Sequence, residues 1–250
     1  MIVRACRSSI AVHELGEVDE DLKALCIETL ENVYCSLDAE VFTELILYAT
    51  REEKLRFLES EAAELGVLVV GDFKTLHEAW RGYPRIHVSQ EDVKDLPKDF
   101  VEALVAHEAI HSVLHGSPTS YLVYLPPSLI EFASQWLSME EIYVLAYVVS
   151  AAIKDVQVHR AMASRGLVRY LEAYARFCAS QLSSEDCREG ASVTSIANAI
   201  KLLTPFAFVD LEPPACAWLM SSESFRAVMS ASLDDVPKVM EVLIREFAKR

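Results

Sequence analysis

Three side chains of this 250-residue chain stand at a spacing that can do chemistry. His107 and His111 lie four residues apart in Ala106-His107-Glu108-Ala109-Ile110-His111. On a helix, that separation puts both imidazoles on one face, a turn apart, where they can grip one ion. Zn2+ is the natural occupant of such a pair. Glu108 stands beside them, where its carboxylate can take a proton from a metal-bound water and later hand it to a leaving group.

The pattern H-E-x-x-H resembles the signature of the zincin metallopeptidases. The resemblance implies zinc as cofactor, a peptide or protein as substrate, His107 and His111 as ligands, and Glu108 as general base and then acid. Catalytic zinc takes three protein ligands and a water, so the pair is incomplete. Metzincins supply a third His in H-E-x-x-H-x-x-G-x-x-H, but here the next His is His115 and no Gly lies at the required place. Helix geometry rotates His115 roughly 80° from the face of His107, so a helix-end role is expected for it.

Two carboxylates compete for the third position. Asp155 shares a helical stripe with Val148, Ala152, His159 and Met162, and an aspartate among apolar neighbours is costly unless it meets a cation. The segment Ala151 to Arg160 also resembles the second motif of some H-E-x-x-H families whose acidic ligand sits in a long helix, with Ala151 where those families often have Asn. Glu131 lies 20 residues after His111, and Pro127-Ser128-Leu129-Ile130-Glu131 is similar to the start of the gluzincin glutamate helix, with Phe132 in place of the Gly that often follows. The structural alternatives are an ion pair for Asp155 and an exposed carboxylate near a helix start for Glu131. His159 is either a group that steadies a ligand or the oxyanion, or a satisfied core histidine. Tyr143 and Tyr147 read as core residues first and oxyanion donors second. His13, His77 and His87 have no partner at metal spacing, which points to surface or turn positions.

The elements that must position these residues follow from periodicity and punctuation. Helices are expected from about Asp19 to Ser36 and from Thr50 to Leu65, the second ended by Gly66. Strands are expected over Val41–Tyr48, Val67–Phe73 and, after the turn Gly82-Tyr83-Pro84, Arg85–Ser89. In zincins a strand just upstream of the active-site helix commonly forms a sheet edge on which an extended peptide can pair, and the resemblance gives that role to Arg85–Ser89. Pro97 opens the helix that carries the motif, and Gly116 and Pro118 stop it. Further helices are expected from Pro126-Pro127 to about Ser138, from Glu140 to Arg165, and through the remainder, with Ser232 capping the last one and Val236, Met240, Leu243 and Phe247 as its core stripe. The expected fold is α+β and mostly helical. A lobe with a small mixed sheet (1–116) ends in the motif helix, and an all-helical lobe (117–250) carries the third ligand. By resemblance this arrangement is zincin-like and forms one catalytic unit.

Composition removes other function classes. A net charge of −15 and the absence of a Lys/Arg run argue against a nucleic-acid partner. The first twelve residues form no signal-peptide core, and the longest apolar run, Ile142–Ile153, is too short to span a bilayer, so a cytoplasmic protein without a membrane segment is expected. The six cysteines contain no C-x-x-C pair, which leaves most of them as buried free thiols, with a disulfide as the alternative. G-x-S-x-G, P-loop and G-x-G-x-x-G sequences are absent. The reading is a zinc metallopeptidase; the alternative is a non-catalytic zincin-fold domain that binds metal or a partner protein.

Overall fold

Caps and apolar periodicity start and stop the helices. The Asp19 side chain accepts from the backbone N–H groups of Asp21 and Leu22 and opens α1 (Glu20–Leu37), which buries Cys26, Leu30, Val33 and Tyr34. Thr50 and Glu53 form a reciprocal capping box at α2 (Arg51–Leu65), and Gly66 ends that helix in the left-handed conformation. The computed structural model describes residues 1–67, 73–214 and 216–248. The strand expected over Val67–Phe73 falls on residues 68–72, which lie outside the described residues. The chain divides into two compact units, Met1–Tyr121 with Ser164–Tyr170, and Leu122–Ala163 with Leu171–Arg250. It is mixed α+β and mostly helical, with a five-stranded sheet near the N-terminus.

In the first unit, β1 (Ile2–Ala5), β2 (Ser8–Leu15), β3 (Phe42–Tyr48), β4 (Thr75–Glu78) and β5 (Arg85–Ser89) lie in the order β1-β2-β3-β5-β4. β2, β3 and β5 run parallel, and β1 and β4 are antiparallel edges. The expected edge strand Arg85–Ser89 is therefore an interior strand: Glu44 pairs with Arg85 on one side and Thr75 with Val88 on the other. Strand alternation sorts the side chains. Tyr48, Arg85 and His87 face α2, while Thr43, Thr75 and His77 face α1 and α4 (Lys98–Leu114), which follows the short α3 (Gln90–Val93).

The α2 face is polar but paired. His87 is fully buried rather than at a surface or turn, because Tyr48 bonds its Nδ1 at 2.8 Å and Glu78 its Nε2 at 3.2 Å. Burial lowers the pKa of this imidazole, although the Glu78 carboxylate pulls the other way. Arg85 bonds both Glu78 and Glu61, and Arg81 makes a two-pronged bond to Glu61 at 2.8 Å. Lys54, almost without exposure, is met by Asp92 and the carbonyl of Phe73. These partners are what permit charge to be buried there.

The second unit is helical: α5 (Pro127–Ala133), α6 (Met139–Ser164), α7 (Val168–Gln181, its first turn counted with the first unit), α8 (Val193–Leu203), α9 (Glu223–Ser230) and α10 (Val236–Phe247). Leu145, Val149, Ile153, Ile200, Leu203, Met240 and Leu243 are central to its core. α5 ends five residues before the expected Ser138, because Ser138 instead caps α6 through a reciprocal bond pair with Glu141. Ser232 caps a 3-10 turn, Leu233–Asp235, that leads into α10. By length and composition α6 could cross a membrane, yet most of its apolar stretch is buried.

The expectation of mostly free cysteines is corrected. Cys6 pairs with Cys35 and Cys187 with Cys216, leaving Cys26 and Cys178 as buried thiols. The first pair arises because the β1–β2 turn, where Cys6 has φ 53°, lies against the end of α1. Burial pushes both free thiols up to about 12.

Two outcomes follow for stability. Arg81, opposed by burial and aided by Arg85, holds the Glu61 carboxyl down to about 2, and Glu78 is also held low, against its burial, by His87, Trp80 N–H and Arg85. Both folded values lie below the unfolded one, so this stabilisation is complete above about pH 4.5 and is lost as pH falls through the folded values. The urea midpoint followed by circular dichroism should start to fall below about pH 6.5, where the unfolded chain takes up a proton that buried His87 resists, and fall further below about pH 4.5, this second fall being less steep in Glu61→Gln; a flat profile in both proteins contradicts the network. Gly16 has φ +81° and a Cβ there would stand 2.7 Å from Ala49 Cβ. Gly16→Ala should therefore cost about 1–3 kcal/mol in the same titration at neutral pH.

Candidate metal centre

The motif helix α4 is held on several sides. From Val101 to Ser112 every residue except Glu102 is buried. Apolar residues account for most of this, and Tyr34 adds a polar clamp: its hydroxyl meets Thr43 at 2.9 Å and Ser112 at 2.8 Å, linking α1, β3 and α4. Burial raises the Tyr34 pKa to about 12 against those two bonds, so the hydroxyl stays protonated. Gly116 ends the segment where a Cβ would meet the Ser112 carbonyl at 2.4 Å and Pro84 Cγ at 2.7 Å.

Within this frame His107 and His111 point their Nε2 atoms at each other, 3.0 Å apart. Two ligands of a tetrahedral zinc, with bonds of about 2.0–2.1 Å, stand roughly 3.3 Å apart, so the pair is set close to the spacing that zinc requires. Glu108 Oε1 accepts from the Thr75 hydroxyl at 2.9 Å. His77, two residues along β4, stacks on the His111 ring at 5.8 Å with a 10° interplanar angle, and its Nδ1 meets the Tyr121 hydroxyl at 2.8 Å. His77 is thus a buried wall of the motif and not a surface residue. His115 is buried as well, and its Nδ1 lies 2.9 Å from Nδ1 of His111. His13 is exposed, as expected, with Glu44 at 3.6 Å.

In the second unit Asp155 is buried on α6, with Lys201 of α8 3.4 Å from its Oδ2. Burial alone would depress the Lys201 ammonium, but the Asp155 charge raises it above its ordinary value. His159, fully buried one turn on, has Thr204 Oγ1 3.2 Å from its Nδ1. The Thr204 proton is committed to the Lys201 carbonyl, so His159 is the donor. Its ring packs on Tyr174 at 5.3 Å and on Phe208, the surroundings of a core histidine.

His107 and His111 of the first unit, and Asp155 of the second, are all buried and are residues of the kind that could hold a metal ion. Glu131 is exposed on α5. Tyr143 is 49% exposed and so is not a core residue, because it falls on the outer face of α6; Tyr147 is half-buried. Imidazole nitrogens and carboxylate oxygens are donors that zinc takes. Sequence reasoning missed Thr75, His77 and Tyr121, which carry no motif; His115 caps the end of α4, in line with the expected helix-end role, and its contact with His111 follows from their four-residue step. The chain matches no protein-family model, no curated protein and no solved structure.

Lys201→Met removes the cation beside a buried carboxylate. In chelator-treated protein it should lower stability by roughly 1–3 kcal/mol, read by urea unfolding; an unchanged midpoint would mean that Asp155 is compensated elsewhere.

Proposed function

We propose that this protein is a zinc-dependent metallopeptidase of zincin type, with His107, His111 and Asp155 as zinc ligands and Glu108 as general base and acid. The observation that carries the reading is the facing of the His107 and His111 Nε2 atoms, 3.0 Å apart, in a motif that also contains Glu108. A purely structural zinc site usually closes with four protein ligands and has no use for a neighbouring base. Zinc held there would supply Lewis acidity to a substrate carbonyl and make water a nucleophile at neutral pH. Thr75 steadies the Glu108 carboxylate through Oε1. Glu108 then accepts the proton of the attacking water and returns it to the departing amine. Among the described residues no strand pairs with the outer side of β4, which carries Thr75 and His77 beside the motif helix. Its backbone groups suit an extended peptide as substrate.

A second reading is favoured by the Lys201 contact: Asp155 balances Lys201, and the cluster belongs to a non-catalytic domain that binds metal or a partner protein. Zinc analysis and peptide cleavage decide between them. Wild type and Glu131→Ala should hold one zinc per chain, and His111→Ala and Asp155→Ala should lose it while remaining folded by circular dichroism. Glu108→Gln should keep zinc and lose turnover of a peptide mixture by about 10²–10⁴-fold. A folded, zinc-reconstituted wild type without metal overturns the site, and full activity in Glu108→Gln overturns the mechanism.

A further inference from the structure

On the reading that His107 and His111 hold a metal ion, we infer that His115 is a positioning residue that fixes the tautomer of His111. Nε2 of His111 is the atom turned toward His107, 3.0 Å away. When that nitrogen gives its lone pair to a metal, the proton of the neutral ring must sit on Nδ1. Nδ1 of His111 faces Nδ1 of His115 at 2.9 Å. A donor on one side requires an acceptor on the other, so His115 must carry its own proton on Nε2 and accept through Nδ1. The bond then points the His111 lone pair at the ion and raises its basicity.

The geometry is fixed by more than one constraint. The backbone N–H of His115 donates to the His111 carbonyl at 2.7 Å, so the four-residue step keeps helical spacing although the residue itself leaves helical angles, at φ −126° and ψ 23°. Gly116 follows with no room for a side chain against the Ser112 carbonyl and Pro84. On its other flank the His111 ring is faced by His77, itself bonded to Tyr121. His111 is thereby flanked by a stacked ring and a directed hydrogen bond, and the bond to His115 is the one at Nδ1.

The test compares Zn2+ affinity, measured by competition with a chromophoric chelator, in wild type, His115→Leu and His115→Asn. An Asn side chain places an amide oxygen near the position of imidazole Nδ1 and keeps the acceptor, whereas Leu removes it. Affinity should fall about 10–100-fold in His115→Leu and stay within about threefold of wild type in His115→Asn. Equal affinity in wild type and His115→Leu overturns the inference, as does an equal loss in both variants, which would mark a packing role. Long-range proton–nitrogen spectra of the zinc-loaded wild type give a readout independent of folding in the variants: His115 protonated on Nε2 supports the inference, and His115 protonated on Nδ1 overturns it. A wild type that takes up no zinc fails before any variant is compared, and that result overturns the metal site itself.

Discussion

Burying an imidazole or a carboxylate costs several kcal/mol unless each polar atom is met, and α4 with its capping residue His115 buries three imidazoles and a carboxylate within nine residues. Much of the first unit can be understood as an answer to that requirement. The edge strand β4 offers Thr75 and His77 to the helix, and the following segment returns Tyr121 to His77. Tyr34 ties the helix to α1 and β3 through Ser112, one residue past the second motif histidine. An apolar helix at this place would need none of these groups, so their presence marks α4 as a platform for side chains and not only as core.

The two faces of the sheet solve the same problem differently. Toward α2, acids and bases are matched within the protein: Glu78 with Arg85 and His87, Glu61 with Arg81 and Arg85, and Asp92 with Lys54. Toward α4, the histidines face one another, and imidazoles clustered in this way gather lone pairs that a cation can satisfy. A closed network on one side and a convergent donor set on the other make the α4 side the one equipped for an external ion.

The helices were legible because their caps and periods agree: Asp19, the Thr50–Glu53 box, and Gly66 mark boundaries that apolar spacing also marks. The β1–β2 hairpin was not, since its turn uses Cys6 at positive φ where a sequence reader looks for Gly or Asn. β4 is four residues long and carries Thr, His and Glu, too brief and too polar to stand out. The alternation over Arg85–Ser89 suggested a half-buried or edge strand, but α2 covers the face of Arg85 and His87 with partner charges, a tertiary compensation no local pattern records. The H-E-x-x-H spacing put His107 and His111 on one face of α4, and the cost of an aspartate on an apolar stripe called for a cation beside Asp155, a contact that Lys201 makes. The partners that orient them come from distant segments, as Thr75 and Tyr121 do, and sequence distance hides such contacts.

The two disulfides each join cysteines 29 residues apart, one pair in each unit. A loop of that size removes on the order of 3–4 kcal/mol of chain entropy from the unfolded ensemble, a sizeable share of a domain's net stability. Opening the bridges would therefore loosen both units together, and it would also release four thiols. Thiolates are avid soft ligands for zinc, so the reduced protein would contain decoy sites that compete with the histidine pair for the same ion. On the proposed reading, the redox history of a sample would govern where added zinc binds, and a preparation exposed to reductant would report the chemistry of its cysteines rather than that of its histidines.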